Sequence, residues 1–399
     1  MNSKIVFTGY LGTNKLYLDY LTKLNKLFLA NGLSMYLISY SSFVYNINVD
    51  SNTFIPEDDT KYDHSLKEYA LVESKIRSID YNKALNRITQ YKEFMLKLIK
   101  KVKPKLFIIS VQFTGYHLFL KKLCDENNIS YMFQCGGMLP GTINVEPFGM
   151  MVDSSFCDYR SSSTYISNEE ALMTSQYLSF AKDNRESLDR KTQPLNTSSK
   201  SFIKSNRKTL FFAGHNDYCC GVYPYNKKAK EASPFFKNSV ECIKYLDKLA
   251  EKNNWEILFK PHPNILNQYD DIENKLSGRV KIFKNANIYE LMDKSDVCIS
   301  MLSQSAYLFL ISDKPTVLLA RSPLTQKGCC YEPESKESIE SEIQLALKSG
   351  YTKKMHSNFI IHSSILLKNT QFIYHDSLRE ILTNDIHSLT LHIKKHLTS

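Results

Sequence analysis

The sequence is poor in the features that would place the protein in a membrane, outside the cell, on a metal or on nucleic acid. No stretch approaches the ~20 consecutive apolar residues of a spanning helix. The amino terminus MNSKIVFTGYLG has one lysine and a short apolar run, too little for a secretory signal. The nine cysteines are scattered, and Cys219–Cys220 and Cys329–Cys330 are adjacent pairs. Zinc sites use CxxC pairs with matching histidines, and none is present, so these residues read as reduced thiols of a cytoplasmic protein. Walker, GxGxxG and DxD patterns are missing, and Asp270–Asp271 and Glu57–Asp58–Asp59 read as solvated charge clusters. No RGG, RNP-type or zinc-knuckle pattern points to nucleic acid. No metal and no cofactor is expected.

What is present is length, apolar content and alternation. A chain of 399 residues, 43% hydrophobic, suits two domains. Its 51 Lys+Arg against 41 Asp+Glu give +10, a balance suited to a phosphate-bearing ligand or an anionic surface.

The first half alternates strand and helix: 4–10 strand, a helix closed by Gly32, 33–40 strand, then helix from Leu66 to Val102 up to Pro104. Strand 105–112, helix 116–128 and strand 129–135 follow. The second half repeats the scheme with strands 209–214, 255–261, 279–283, 296–300 and 316–320, and with helices between them, one of them running through ILNQYDDIENKL. Such alternation predicts α/β sheets, mostly parallel and covered on both faces. The polar run around 188–208 reads as a linker and the segment from Thr370 as helical. The expected layout is GT-B: two Rossmann-like domains facing a cleft, tied by a carboxy-terminal crossover helix. The expected bounds are 1–190, linker 191–208, 209–369, and 370–399 packing back on the first domain.

Polar groups gather where strands end, the place for ligands in such sheets. The stretch GHNDYCCGVYPY puts Gly214, His215, Asn216 and Asp217 after a strand, either to do chemistry or to cap a turn. In LFKPHPN, prolines fix the backbone on both sides of His262, Lys260 adds a cation and Asn264 can cap the next helix. An imidazole held there can donate to a phosphate oxygen, or simply be satisfied by a backbone carbonyl. In SMLSQSAYLFL, Ser300, Ser303, Gln304 and Ser305 bracket a helix start, where hydroxyls and free N–H groups suit an anion. FQCGGMLPGTINVEPFG, with Gly136, Gly137, Pro140, Gly141 and Thr142, predicts a sharply bent backbone close to a ligand on the sugar or acceptor side, and Glu146 is its carboxylate.

Taken in order, GHNDYCCGVYPY, the SPFF at 233–236, LFKPHPN, SMLSQSAYLFLISDKPTVLLA and CGGMLPGTINVEPFG resemble the capsule and lipopolysaccharide β-Kdo transferases over about residues 130–325. The resemblance implies GT-B enzymes that take CMP-activated 2-keto sugar acids and retain anomeric configuration. It implies that His262, Ser303 and Ser305, with Lys260 nearby, hold the CMP phosphate and that Asp217 attacks the anomeric carbon. Those relatives carry a glutamate just before Gly-x-Leu-Pro, where Gln134, Cys135 and Gly136 stand here, so either Glu146 or Asp153 is recruited as acid/base, or the donor differs, or the chain is catalytically weak. The implied function is transfer of Kdo from CMP-Kdo to a surface polysaccharide or glycolipid, in the cytoplasm. The basic segments 97–105 and 392–397 would rest on the inner membrane. The alternatives are a CMP-sialic acid or polyol-phosphate transferase, and a degenerate, non-catalytic nucleotide- or glycan-binding homologue.

Overall fold

The computed structural model describes residues 3–9, 15–40, 49–57, 62–158, 165–188, 206–269 and 272–398. Residues 191–205 of the linker expected at 191–208, together with Asp58, Asp59, Asp270 and Asp271, lie outside them. The chain forms two compact units: residues 1–137, 142–150 and 370–399 in one, 138–141 and 151–369 in the other.

The first unit opens with β1 (Ser3–Gly9), α1 (Lys15–Ala30), β2 (Leu33–Ser39) and β3 (Asp50–Thr53). It continues with α2 (Lys67–Arg77), α3 (Tyr81–Val102), β4 (Leu106–Ser110), α4 (Gly115–Glu126), β5 (Ser130–Gly136) and β6 (Thr142–Glu146). The second unit holds α5 (Asn168–Asp183), β7 (Thr209–Ala213), α6 (Lys227–Ala232), α7 (Ser239–Asn253), β8 (Glu256–Lys260) and β9 (Val280–Ile282). After these come α8 (Ile288–Asp293), β10 (Val297–Ser300), α9 (Ser305–Ile311), β11 (Thr316–Leu318), α10 (Ile339–Ser349) and α11 (Lys353–Asn369). The chain then returns to the first unit as β12 (Gln371–Ile373) and α12 (Ile386–Thr398).

Among the described residues the first sheet runs β12-β6-β5-β4-β1-β2-β3 and the second β11-β10-β7-β8-β9. The second is parallel throughout; in the first, β6 and β12 run antiparallel to their neighbours. Most of the strands, unlike the polar, exposed edge strand β3 (DSNT), are near-continuous apolar runs because helices cover both faces. In the first unit, Ile5, Phe7, Leu106 and Ile108 of the sheet meet Tyr17, Leu21, Leu24 and Phe28 of α1. Leu389 and Ile393 of α12 enter the same core fully buried, each contributing about 1.5–3 kcal/mol.

Several sequence expectations needed correction. The helix expected from Leu66 to Val102 breaks at Ser78, whose left-handed backbone (φ 51°) ends α2, and Asp80 then caps α3 through the Asn82 and Lys83 N–H groups. The segment from Thr370 is not helical throughout: β12 pairs with β6, Phe372 opposite Ile143, before α12 begins. The helix expected through ILNQYDDIENKL is replaced, among the described residues, by 3-10 turns at Pro263–Tyr269 and Glu273–Lys275. The first domain does not extend to residue 190. α5 belongs to the second unit, where Ser364 of α11 donates to Thr174 at 2.8 Å and Tyr177 donates to the Pro140 carbonyl at 2.7 Å. Among the described residues no helix is long and apolar enough to cross a membrane.

Gly137 illustrates why the first-unit loop needs glycine. Its N–H donates to the Thr142 carbonyl at 2.8 Å, and a Cβ there would overlap Thr142 Oγ1 and come within 2.6 Å of Gln371 Oε1. Gly137→Ala is expected to destabilise the protein by about 1–3 kcal/mol, read as a lower urea midpoint at unchanged m-value.

Candidate functional site

The three strand ends flagged in the sequence lie side by side. Ala213 at the end of β7 pairs with Lys260 of β8 on one side and Ser300 of β10 on the other. The chain runs from β7 out to β8 and β9, then crosses back to β10 and β11 beyond β7. This reversal of strand order opens a crevice at the carboxyl ends of β7 and β10.

Beyond β8, Pro261 and Pro263 hold His262 in a half-buried turn. Its Nδ1 accepts the Asn264 backbone N–H at 3.2 Å, which leaves the ring proton of the neutral imidazole on Nε2. The histidine is therefore the capping group of this turn, and Asn264, expected to cap, is the residue capped. Gly214 lets the neighbouring strand end pass close: its N–H donates to the Lys260 carbonyl at 2.9 Å, and a Cβ would sit 3.3 Å from the His262 nitrogen.

Beyond β10 the serines form their own network. Ser305 donates to Ser303 Oγ from its hydroxyl at 2.6 Å and from its N–H at 3.3 Å, while Ser300 donates to the Ser303 carbonyl at 3.3 Å. Ser303 Oγ accepts twice, so its own proton is directed elsewhere. Ser303 and Gln304 line a small concavity with Met138, Met151, Tyr307 and Ser322. Tyr307 was not singled out in the sequence: its Oη lies 3.0 Å from Nε2 of the buried His362 and 3.3 Å from Met138 Sδ. Burial holds His362 neutral, its pKa lowered to about 3 by desolvation and then by Lys327. Only its position on the inward stripe of α11 could have marked it, and a core histidine gives the same pattern.

Asp217, expected as the attacking carboxylate, is buried and held by its own unit. It is 4% exposed, and one oxygen accepts both the Ser239 N–H and the Ser239 hydroxyl at 2.9 Å, tying the loop after β7 to the start of α7. His215, 3% exposed, places Nε2 3.0 Å from the same oxygen and Nδ1 3.2 Å from Ser239 Oγ. Ser239 spends its proton on the carboxylate, so toward His215 it accepts and Nδ1 carries a proton. Burial by itself would lower the His215 pKa, but the Cys220 sulfur and the Asp217 carboxylate outweigh it and raise it to about 10. Asn216 closes the turn by accepting the Tyr218 N–H at 3.2 Å.

The first-domain loop is divided. Gly136, Gly137 and Thr142 belong to the first unit, whereas Pro140 and Gly141, expected on the acceptor side of the first domain, belong to the second. Glu146 is fully buried in the middle of the first sheet, where Asn144 donates to it at 3.5 Å, so it is a structural carboxylate rather than an exposed acid/base. Gln134 is also fully buried and accepts from Tyr20 Oη at 3.0 Å, a setting that suits an amide and penalises a carboxylate. Asp153 is bound by Lys228 at 2.6 Å. Among the described residues no group of three or more His, Cys, Asp or Glu side chains could hold a metal ion.

Comparison with known proteins adds three findings. Along its whole length the chain resembles the KpsC β-Kdo 2,7 transferase of Thermosulfurimonas dismutans, with TM-score 0.50, 10% identity and 99% of each chain covered. The fold is that of the GT-B glycosyltransferases. Residues 230–323 match the family model of CDP-glycerol:poly(glycerophosphate) glycerophosphotransferases, a stretch that contains the His262 turn and the serine segment. A stretch of 102 residues is 32% identical to the minor teichoic acid biosynthesis protein GgaB of Bacillus subtilis strain 168; it is 25% of this chain and 11% of that protein.

Proposed function

We propose that the protein is a GT-B transferase that moves a group from a cytidine-nucleotide-activated donor to a growing surface polymer. The observation that carries this reading is the placing of Lys260, His262 and Ser300–Ser305 at the carboxyl ends of β8 and β10, the two strands that flank β7, inside the stretch that matches the glycerophosphotransferase family. His262 Nε2–H donates to a phosphate oxygen, the Ser303 hydroxyl donates beside it, and Lys260 supplies positive charge. As the bond from phosphate to the transferred group breaks, negative charge grows on these oxygens. Donors already in place stabilise it without reorganising. Asp217 takes no part in bond making here; with His215 and Ser239 it positions the loop after β7.

The donor of the first reading is CMP-Kdo, in keeping with the motif resemblance and the full-length likeness to a β-Kdo transferase fold. The second is a CDP-activated polyol phosphate, favoured by the match over 230–323 and by the teichoic acid relative. Both place a cytidine nucleotide in the second unit and differ in what departs from it. Incubating the protein with CMP-Kdo and with CDP-glycerol, with nucleotide release followed by chromatography, separates them. Release of CMP from one donor alone assigns it; release from neither, with CMP bound, supports a non-catalytic binding role.

A further inference from the structure

The two basic segments of the sequence come together in the fold at one end of the first unit. Strands β1, β4 and β5 are parallel and in register, Ile5 opposite Leu106 and Leu106 opposite Ser130, so their amino ends form one edge. Lys4 stands there on β1, and its carbonyl accepts the Lys105 N–H at 2.9 Å. The last turn of α3 brings Lys100 to the same edge and its left-handed cap brings Lys103. α12 ends there as well, because the His396 ring bonds the backbone of Tyr131 at the start of β5, which carries Lys394 and Lys395 along.

All six lysines are exposed, and none has a salt-bridge or hydrogen-bond partner for its ammonium group among the described residues. Four other lysines of the same unit are paired: Lys23 with Asp376, Lys92 with Asp63, Lys121 with Asp125 and Lys122 with Glu126. The last two pairs lie in the final turns of α4 and occupy Asp125 and Glu126. Exposed leucines stand among the lysines: Leu29 in the last turn of α1, 54% exposed, and Leu96 on α3, 43% exposed. A surface of unneutralised lysines interspersed with exposed leucines matches an anionic bilayer, where phosphates meet the cations and leucines enter the headgroup boundary. Single-stranded nucleic acid would call instead for exposed aromatic rings on which bases stack.

We propose that the amino-end edge of the first sheet docks the protein on an anionic phospholipid surface. This orientation turns the carboxyl ends of those strands away from the lipid and leaves them open. The proposal does not rest on the donor reading: docking can hold or fail whatever nucleotide the second unit binds.

The test is co-sedimentation of the full chain with vesicles of phosphatidylcholine alone and of phosphatidylcholine mixed with phosphatidylglycerol. Binding is expected to the mixed vesicles only, and to fall steeply as salt is raised. The combined substitutions Lys100→Gln, Lys103→Gln, Lys105→Gln and Lys395→Gln are expected to weaken it at least tenfold, since each lysine near an anionic surface contributes several-fold. The second-unit control Lys348→Gln, Lys353→Gln, Lys354→Gln is expected to bind as the wild type does. Equal binding to neutral vesicles, salt-insensitive binding, or the same loss in the control would overturn the proposal. So would tighter retention by single-stranded nucleic acid, lost in the same four-lysine variant. Thermal midpoints of both variants establish that they are folded, and the salt series on the wild type needs no variant.

Discussion

His262→Ala is expected to lower the affinity for CMP by ten- to a hundredfold. The loss corresponds to one charge-assisted hydrogen bond to a phosphate oxygen, about 1.5–3 kcal/mol. Alanine removes two things at once, because His262 Nδ1 also caps the Asn264 N–H at 3.2 Å. His262→Asn separates them. Asparagine retains a carbonyl oxygen near the place of Nδ1 and so preserves the turn, but nothing at the place of Nε2 reaches the phosphate. If the phosphate role is correct, the asparagine variant keeps the wild-type thermal midpoint and loses CMP affinity as alanine does. Calorimetric titration with CMP, UMP and GMP reads both the loss and the base preference. Affinity restored in His262→Asn would show that the turn, and not the donor at Nε2, matters for binding. CMP binding indifferent to both substitutions would remove His262 from the site and with it the cytidine reading.

The sequence made the strands largely legible and the site only at its strand ends. The runs of the second half were readable because parallel strands buried on both faces are almost wholly apolar, and TLFFA and EILFK are interrupted by nothing. KPHPN was readable because two prolines around one histidine are a local constraint, visible without knowledge of the fold. The break at Ser78 was not, since the apolar periodicity of α2 runs on into α3 while one left-handed residue turns the chain. β6 was hidden for a different reason. Its five residues, TINVE, sit among glycines and prolines that signal a loop, and they are held as a strand by β5 and β12 from distant parts of the chain. Asp217 shows the limit most plainly. A carboxylate after a strand reads alike whether it faces a ligand or the start of a helix 22 residues later. Only the partner, Ser239, decides, and nothing in NSVEC announces it.

Asp217→Asn turns that distinction into a measurement. The amide keeps an oxygen for the Ser239 N–H and hydroxyl, so what it removes is the negative charge facing His215. Taking one partner from a buried pair costs about 3–5 kcal/mol. The alkaline stability curve should change with it. With a folded-state pKa raised to about 10 from an ordinary 6.5, His215 contributes stability that is fully present below pH 6.5 and is lost as pH rises through 10. Urea midpoints of the wild type are therefore expected to fall between pH 6.5 and 10, and those of Asp217→Asn to start lower and show a smaller fall, Cys220 being left in place. A carboxylate that attacks the anomeric carbon predicts the opposite pattern: unchanged midpoints at every pH, intact CMP affinity and abolished turnover. In this reading a loss of turnover in Asp217→Asn follows instead from removing the charge that faces His215, so it should be accompanied by lost stability. Ser239→Ala, which leaves both charges in place and deletes the hydroxyl between them, is expected to reproduce part of the stability loss while retaining the alkaline fall.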